Sequence, residues 1–406
     1  MHKIERLLQT LAPKGVEFRK LGEVCEILDN RRIPIAKNKR NPGIYPYYGA
    51  NGIQDYIDSY IFDGDFVLVG EDGSVINKDN TPVVNWTSGK IWVNNHAHVL
   101  QTKNELKLKF LYFYLQTIDV SYCVAGTPPK INQENLKKIT IPIPPLEIQQ
   151  EIVKILDAFT ELNTELNTEL KARKKQYQYY QNMLLDFKGI HLNHKDAKMS
   201  AKTYPKRLKT LLQILAPKGV EFRKLGEVIN ILKGKQLNKE LLLDYGEYPV
   251  MNGGIHASGY WNEYNTDYPK IIISQGGASA GYVNYMTSKF WAGAHCYVIE
   301  LNSEKLNYKF LYYFLKNSQT ILMKSQFGAG IPALNKADIE TLTIPIPPLE
   351  IQQEIVKILD QFSILTTDLL AGIPAEIEAR KKQYEYYREK LLAFKPLTPH
   401  KEVKKC

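Results

Sequence analysis

The sequence predicts a mixed α+β fold in which two related globular domains are joined by two long antiparallel coiled-coil helices. Two observations favour this fold class over one large domain. Blocks of the 406-residue chain occur twice, about half the chain length apart. Each copy also ends in a long segment with the apolar spacing of a coiled coil. The chain is therefore expected to be an internal repeat with pseudo-two-fold symmetry.

The repeat is strongest in two blocks that begin and end each globular copy. The sequence LQTLAPKGVEFRKLGEV at 8–24 returns as LQILAPKGVEFRKLGEV at 212–228. The sequence ITIPIPPLEIQQEIVKILD at 139–157 returns as LTIPIPPLEIQQEIVKILD at 342–360. A period this long excludes a solenoid and indicates a duplicated domain together with the segment that follows it.

Between these blocks the copies share only short islands. YPYYGANGI (45–53) faces YPVMNGGI (248–255), and KIWVNNHAHVL (90–100) faces KFWAGAHCYVI (289–299). Near-identical blocks indicate a common partner or geometry, whereas divergent blocks indicate that the two copies recognise different things. The alternative is gene conversion that made patches alike without functional meaning.

Each globular copy is followed by a predicted long helix. Residues 146–187 contain no Gly or Pro and follow PIPP (142–145), which fixes a helix entry without removing interior hydrogen bonds. The second copy repeats this pattern at 349–394, where Gly372-Ile373-Pro374 predicts a kink. At ~1.5 Å per residue, each helix would span roughly 60 Å.

Apolar residues along both segments are spaced alternately by three and four, which is the pattern of a coiled-coil seam. Two such helices in one chain can pair with each other in antiparallel fashion. The alternative is that each helix packs along its own domain. The predicted seam comprises Ile152, Ile155, Phe159, Leu162, Leu166, Tyr177, Leu184, Ile355, Ile358, Phe362, Leu365, Tyr384 and Leu391.

These elements divide the chain into globular domains at 1–145 and 208–348, a linker at 188–207 and a tail at 395–406. The net charge of +10 and the pI near 9.0 favour a polyanionic partner only weakly. The linker carries +5 and the tail +3, so most of the excess lies outside the globular domains. A nucleic-acid surface would therefore have to be a local patch.

Two kinds of residue are candidates for contacts with DNA. Basic side chains in loop-like stretches could neutralise phosphates or bind guanine, and Asn or Gln near Gly-rich turns could bind adenine bidentately. Solvated loops and ordinary turn chemistry are the alternatives for any single position. The candidates are Arg31, Arg32, Lys37, Lys39, Arg40, Asn51, Lys233, Lys235, Gln236, Asn252 and Gln275.

The sequence lacks the motifs of common catalytic sites. It contains no GxxxxGK[ST], HExxH or Asn-Pro-Pro-aromatic segment. His96 and His98 could project together from a strand and start a metal site, but histidines satisfied by polar neighbours are more common. The scattered Cys25, Cys123, Cys296 and Cys406 predict neither a zinc site nor a disulfide framework. With no signal peptide or membrane-length apolar run, a cytoplasmic protein is expected.

Several of these segments resemble the specificity subunits of type I restriction-modification enzymes. The most specific is IPIPPLEIQQEI, present twice, which resembles the proline-to-helix junction of that family. GDFVLVGEDGS and PKIIISQGGASAG are similar to its strand-and-glycine element, and GAGIPALN (328–335) and GTPPKIN (126–132) to the approach to the junction. The interruption at 372–374 departs from the family pattern.

The resemblance implies that each globular domain is a target recognition domain for one half of a bipartite site in double-stranded DNA. The helices would set the half-site spacing and dock two methyltransferase subunits. Those subunits would bind S-adenosylmethionine and flip an adenine. Restriction subunits would add ATP- and Mg-dependent cleavage in the full complex. This chain would hold no cofactor or metal, would catalyse nothing and would not bind a membrane.

Two other functions compete with this interpretation. A self-contained modification or restriction enzyme would need a cofactor site of its own, and the motif search finds none. A coiled-coil scaffold with two protein-binding domains explains the helices, but it does not explain why the domains diverged between shared cores.

Overall fold

The structure is a computed structural model that describes residues 2–73, 75–187, 204–327, 332–367 and 372–397. Most of the basic linker, the first half of GAGIPALN and the end of the tail with Cys406 lie outside the described residues. The chain divides into two compact units, residues 1–167 with 376–406 and residues 168–375. Each unit thus contains one globular copy and parts of both long helical segments.

Unit 1 is built mainly from short strands. Its helices are α1 (His2–Leu11), α2 (Leu21–Val24), α3 (Leu108–Leu115), α4 (Gln133–Lys138) and the first part of α5 (Leu146–Leu185). Its strands are β1 (Glu17–Lys20), β2 (Cys25–Ile27), β3 (Pro42–Gly49), β4 (Gly52–Ile57), β5 (Phe62–Asp63), β6 (Phe66–Gly70), β7 (Val84–Thr87), β8 (Lys90–Val93), β9 (Ala97–Thr102) and β10 (Thr140–Ile143).

These strands form three sheets. The main sheet has the order β2-β9-β6-β7, the small sheet has the order β4-β3-β8-β5, and β1 pairs with β10. All five residues of β6 are buried, as expected for a strand covered on both faces. One side of the main sheet packs on α3 and α5 through Val67, Val69 and Leu100. The other side packs on the small sheet through Leu68 and Val99.

Unit 2 repeats this plan. Its helices are α6 (Lys206–Leu215), α7 (Tyr308–Asn317), α8 (Gln319–Lys324), α9 (Lys336–Glu340) and α10 (Leu349–Thr367). Its sheets have the orders β12-β18-β15-β16, β14-β13-β17 and β11-β19. The strands are β11 (Glu221–Lys224), β12 (Ile229–Lys233), β13 (Tyr248–Met251), β14 (Gly259–Trp261), β15 (Lys270–Ser274), β16 (Val283–Met286), β17 (Trp291–Ala292), β18 (Cys296–Leu301) and β19 (Thr343–Ile346).

The near-identical blocks form the joint between each globular copy and its helix. EFRK of β1 pairs antiparallel with TIPI of β10, and β11 pairs with β19 in the same register. Behind this ladder Gln149 is fully buried, accepts from Lys107 N and donates to the carbonyls of Glu105 and Pro144. Gln352 makes the equivalent three bonds in unit 2. The identity of these blocks therefore preserves one docking geometry.

Each unit pairs the N-terminal part of one long helical segment with the C-terminal part of the other. The last helix is α11 (Ile373–Leu392). In unit 1 Phe159 of α5 stacks on Tyr387 of α11 at 5.6 Å. In unit 2 Phe362 of α10 stacks on Tyr180 of α5 at 5.1 Å. Ile152 lies with Leu391 in one core and Ile355 lies with Leu184 in the other, so the segments run antiparallel within each unit.

Two predictions about the helices need correction. The first turns of α5 bury a second face on their own domain through Ile148 and Leu156, and those of α10 do so through Ile351 and Leu359, so packing along the domain and helix pairing occur together. Leu365 is 36% exposed and Thr366 is buried in its place. Leu365 lies in the last turn of α10, which ends at Thr367, and the seam residues Tyr384 and Leu391 lie on α11.

Three cysteine thiols lie inside the units, and the helices are those of a chain without a membrane span among its described residues. Cys25, Cys123 and Cys296 are buried thiols, and these three cysteines form no disulfide with one another. Burial raises the pKa of Cys25 to about 12 and that of Cys296 to about 11, so both thiols are protonated. Within the described residues, every helix is too short or too polar to cross a bilayer.

Candidate nucleic-acid interface

One end of each small sheet gathers turns from several strands, and we call this end the reading edge. In unit 1 it comprises the β3–β4 turn, the turn before β9 and the loop after β6. Asn94 links the first two, because its amide N–H donates to Tyr48 O and its Nδ2 donates to Gln54 Oε1 at 3.4 Å. The loop after β6 joins them through Glu71 N, which donates to His96 O at 2.9 Å.

An asparagine caps the turn before the histidine in both units, but it comes from different strands. In unit 1 Asn94 Oδ1 accepts from His96 N at 2.8 Å. In unit 2 the equivalent position is Gly293, and Asn252 Oδ1 accepts from His295 N at 3.3 Å. A Cβ on Gly293 would lie 2.4 Å from that Oδ1, so the glycine makes room for Asn252. Asn252, a candidate base contact, therefore has a structural role.

Asn252→Ala is expected to lower the free energy of unfolding by about 1 kcal/mol, because it leaves the His295 amide without its acceptor. Thermal unfolding of the full chain would measure the change. Gln236→Ala is the matched control, since the Gln236 amide reaches only the adjacent Leu237 O. If Asn252→Ala left the stability unchanged and altered the DNA sequence preference, Asn252 would be a base contact and the structural role would be wrong.

A buried ionic network lies behind the reading edge of unit 1. Arg32 Nη1 donates to Glu71 Oε2 at 2.6 Å and to Ala97 O at 2.9 Å, and its Nη2 lies 3.3 Å from Asp29 Oδ2. Lys130 Nζ lies 3.0 Å from Glu71 Oε1. His98 is fully buried at the centre. Arg32 was a candidate for DNA contact, but these internal partners occupy its guanidinium.

The network keeps both carboxyl groups ionised. Burial alone would raise the pKa of Asp29, but hydrogen bonding to His98 and the charges of His98 and Arg32 lower it from 3.8. Burial also opposes ionisation of Glu71, and hydrogen bonds from Arg32 and Lys130 lower its pKa from 4.5. His98 lies 2.6 Å from Asp29 and 2.7 Å from Ile131 O. Both are acceptors, so the ring donates from both nitrogens.

Asp29, Glu71 and His98 have the spacing of a metal-binding set, with ligand atoms within 4.8 Å of one another. Each of them is already engaged by Arg32, Lys130 or Ile131 O, which makes this cluster an ion-pair network. His96 lies apart, because β9 begins after it, and it contacts the Asp72 carboxylate at 2.5 Å. The expectation that His96 and His98 project together from one strand face is therefore wrong.

Unit 2 has the same backbone hydrogen bond at this place, but neutral side chains replace Glu71 and His98. Gln275 occupies the place of Glu71, and its N–H donates to His295 O at 2.8 Å. Tyr297 occupies the place of His98, and its hydroxyl donates to Leu334 O at 3.2 Å. Gln275 also hydrogen-bonds Tyr297. Gln275 is thus half-buried and is bonded to His295 O and Tyr297. These internal partners argue against Gln275 as a base contact.

The basic stretch of unit 1, residues 31–40, crosses the outer face of the small sheet, and we call it the strap. Trp92 Nε1 donates to Ile33 O at 2.6 Å and holds the strap down. Arg40 stacks on Tyr47 at 4.1 Å and donates to Ile35 O, so it belongs to the strap's interior. Arg31 rests on Phe62 with an exposed side chain. Lys37 and Lys39, in a short 3-10 turn, are exposed and face solvent.

The second strap has the same anchor. Trp291 Nε1 donates to Lys235 O at 3.1 Å, and Lys235 N donates to Ala292 O at 2.8 Å. The side chains of Lys233, Lys235 and Gln236 are exposed. Asn51 is exposed in the two-residue β3–β4 turn of unit 1. The structure therefore leaves Arg31, Lys37, Lys39, Asn51, Lys233, Lys235 and Gln236 accessible among the sequence candidates.

The reading edge also contains residues that sequence reasoning missed. Asn85 lies beside the β3–β4 turn, 3.2 Å from a Cβ position on Gly52, and Asn284 Nδ2 donates to Ile255 O in unit 2. Asn95 is exposed in the turn before β9 of unit 1. A signal existed for one pair, because Val-Asn occurs at both 84–85 and 283–284, in the strand that pairs with the buried strand.

Comparison with known proteins gives these units a family. The family model for the type I restriction modification DNA specificity domain matches residues 13–175 and again residues 217–379. A Haemophilus influenzae protein that carries the name of a type I restriction enzyme specificity subunit is 35% identical, over 96% of this chain and 98% of its own length. The EcoR124I/EcoR124II specificity subunit of Escherichia coli is 28% identical, over 98% of both chains.

Solved structures agree on the fold. The S subunit of a type I restriction-modification system from M. genitalium matches with a TM-score of 0.61 and 21% identity, covering 95% of this chain and 97% of that one. A chain from a type I restriction-modification complex matches with a TM-score of 0.51 and 19% identity, over 93% and 96%. The chain belongs to the type I restriction-modification specificity subunits, the non-catalytic DNA-specificity component of those enzymes.

Proposed function

We propose that each unit binds one half of a bipartite DNA site and that the helical segments set the distance between the halves. The observation that carries this proposal is the difference between the two reading edges on one shared backbone. The edge of unit 1 exposes two amides and an imidazole at Asn51, Asn95 and His96. The edge of unit 2 exposes Ile255, His256 and His295 around Gly254 and Gly276.

This difference predicts two unlike half-sites. Asn side chains, such as those of Asn51 and Asn95 in unit 1, pair bidentately with adenine. Ile255 offers an apolar contact that suits a thymine methyl group. The same backbone presenting different chemistry is what an asymmetric site requires, since two identical readers would favour a palindrome.

Phosphate contacts would come from the straps. Arg31, Lys37, Lys39 and Lys235 are exposed on the straps, and Lys233 is exposed at the end of β12. Such cations position a protein on DNA without specifying sequence. Five neutralised phosphates would give a salt dependence of roughly −4.5 in log K against log[salt].

The chemistry would reside in the partners. Two methyltransferase subunits docked on the helices would bind S-adenosylmethionine and transfer its methyl group to adenine. Restriction subunits would add the steps that use ATP and Mg. The paired helices suit such docking, because Ile155, Phe159 and Leu162 on α5 stay partly exposed beside the contact of Phe159 with Tyr387.

Methylation mapping tests the proposal. In cells that express this chain with its methyltransferase, we expect one bipartite motif with unlike halves and an unspecified spacer. Asn51→Ala combined with Asn95→Ala should relax one half and leave the other unchanged. Asn182→Ala, which alters an exposed helix position, is the control. A contiguous or palindromic motif would contradict two readers, and absence of any DNA-dependent signal would favour a protein scaffold.

A further inference from the structure

Both units carry the same tyrosine–lysine patch on the outer face of the small sheet. In unit 1 it consists of Tyr45, Tyr60 and Lys90, with the two rings 5.1 Å apart and the ammonium 4.6 Å from the Tyr60 centroid. In unit 2 it consists of Tyr248, Tyr264 and Lys289, with distances of 5.1 and 4.1 Å. In each copy, three residues from three separate segments thus adopt the same arrangement.

Both units have the tyrosine–lysine patch, whereas the residues of their reading edges differ. Tyr45 and Lys90 lie near the starts of the parallel strands β3 and β8, whereas the reading edge follows their ends. At ~3.3 Å per residue, Tyr45 lies about 13 Å along β3 from Gly49 at the hairpin turn. A feature that both copies keep, away from the part in which they differ, indicates a partner that is the same for both.

The patch is accessible and can donate hydrogen bonds. Tyr60 and Tyr264 are each 40% exposed, and the ammonium of each patch lysine lies over the neighbouring phenol ring. Lys289 Nζ donates to Tyr264 Oη at 2.8 Å, which leaves the phenolic hydrogen and two ammonium hydrogens for a partner. Aromatic rings beside these donors form a surface of mixed polar and apolar character.

Charge argues against DNA at this position. Asp267 lies 3.8 Å from Lys289, and Asp63 is the strand neighbour of Lys90, so each patch is close to neutral. A phosphate backbone favours uncompensated cations, as on the straps. Tyrosines with few net charges are instead typical of protein–protein interfaces. A protein is therefore the occupant that the chemistry favours.

We infer that the tyrosine–lysine patch of each unit is a docking surface for one copy of the same protein subunit, the methyltransferase. The identity of the subunit rests on the proposed function, in which two such copies join one specificity chain. Docking here would add a contact on the globular copy to the helix contacts. It would hold the subunit beside the reading edge without covering the residues that bind bases.

Site-specific photocrosslinking in the assembled complex tests this surface. A benzophenone amino acid would replace Tyr60 or Tyr264 in the full chain, purified with its methyltransferase, with and without cognate DNA. We expect a crosslink to the methyltransferase from both positions. Tyr122 is the matched control, since it is 42% exposed but has no tyrosine counterpart in unit 2. Copurification and methylation by each complex are measured first, which separates failure of the patch from failure of the proposed function.

Charge reversal gives a second measurement. Lys90→Glu and Lys289→Glu should each slow methylation of one of the two half-sites roughly tenfold, as loss of one interface contact of hot-spot strength would. Binding of the specificity chain alone to DNA and its thermal unfolding should stay unchanged. A crosslink to DNA, or no crosslink from an assembled and active complex, would overturn the inference.

Discussion

Inserting one more TELN unit after Asn167 is expected to move the preferred DNA site to a longer spacer and to abolish methylation of the original site. Thr160–Leu170 reads TELNTELNTEL within α5, which contributes residues to both units. Four residues add about 6 Å to a helix, the length of about two base pairs. They complete slightly more than one turn, so the apolar stripe keeps its direction.

The expected spacer change is one to two base pairs, since the paired segment must also shift. That segment consists of two helices, α10 (Leu349–Thr367) and α11 (Ile373–Leu392), whose register on α5 would change with the insertion. Methylation mapping over sites with every spacer length would measure the change. An insertion of two residues is the control, because it rotates the stripe by about half a turn and should reduce methylation at all spacers. Unchanged spacer preference after the four-residue insertion would refute the ruler function.

The helices and the repeat were predictable because both are periodic patterns. Phe159 and Phe362 occupy the same position in each copy, and the tyrosines that stack on them are also equivalent. What the pattern leaves open is which copy supplies which ring. The seam predicts a helix–helix contact equally well within one copy or between copies, and only tertiary packing decides between them.

The candidate site was less predictable because its side chains are committed by distant partners. Arg32 and Lys37 look alike in a basic loop, yet Arg32 is buried against Glu71, which lies 39 positions further along the chain. Asn252 sits in a turn that suits base contacts, and its Oδ1 is taken by an amide 43 positions away. No local motif encodes these pairings. Exposure, which the structure adds, is what separates Lys37 and Lys39 from Arg32 and Arg40.

Removing the centre of the ionic network should cost far more than removing its neutral counterpart. His98→Ala leaves Asp29 and Arg32 buried with fewer partners, and breaking such buried pairs costs about 3–5 kcal/mol. Tyr297→Phe removes one neutral hydrogen bond in unit 2, which costs about 1 kcal/mol. The two substitutions act at equivalent places, so the difference measures the contribution of charge.

The network also gives unit 1 a pH dependence with a defined sign. The pKa values of Asp29 and Glu71 are lowered by folding, from 3.8 and 4.5. Their stabilisation is therefore complete above these unfolded values and is lost as the pH falls through the lower folded values. Unit 2 has Lys233, Gln275 and Tyr297 in the corresponding places, which carry no carboxylate. Below about pH 4, unit 1 should lose stability by a route that unit 2 lacks.

Native-state hydrogen exchange resolves the two units in one chain and can measure this difference. Protection of amides in β6 and β9 reports on unit 1, and protection in β15 and β18 reports on unit 2. We expect the first set to lose protection in His98→Ala at neutral pH, and in the parent chain as the pH is lowered toward 3, while the second set changes less. In His98→Ala the acid effect should shrink, because part of the depression of the Asp29 pKa comes from His98. Equal acid sensitivity in both units would mean that the network contributes nothing specific to the acid stability of unit 1.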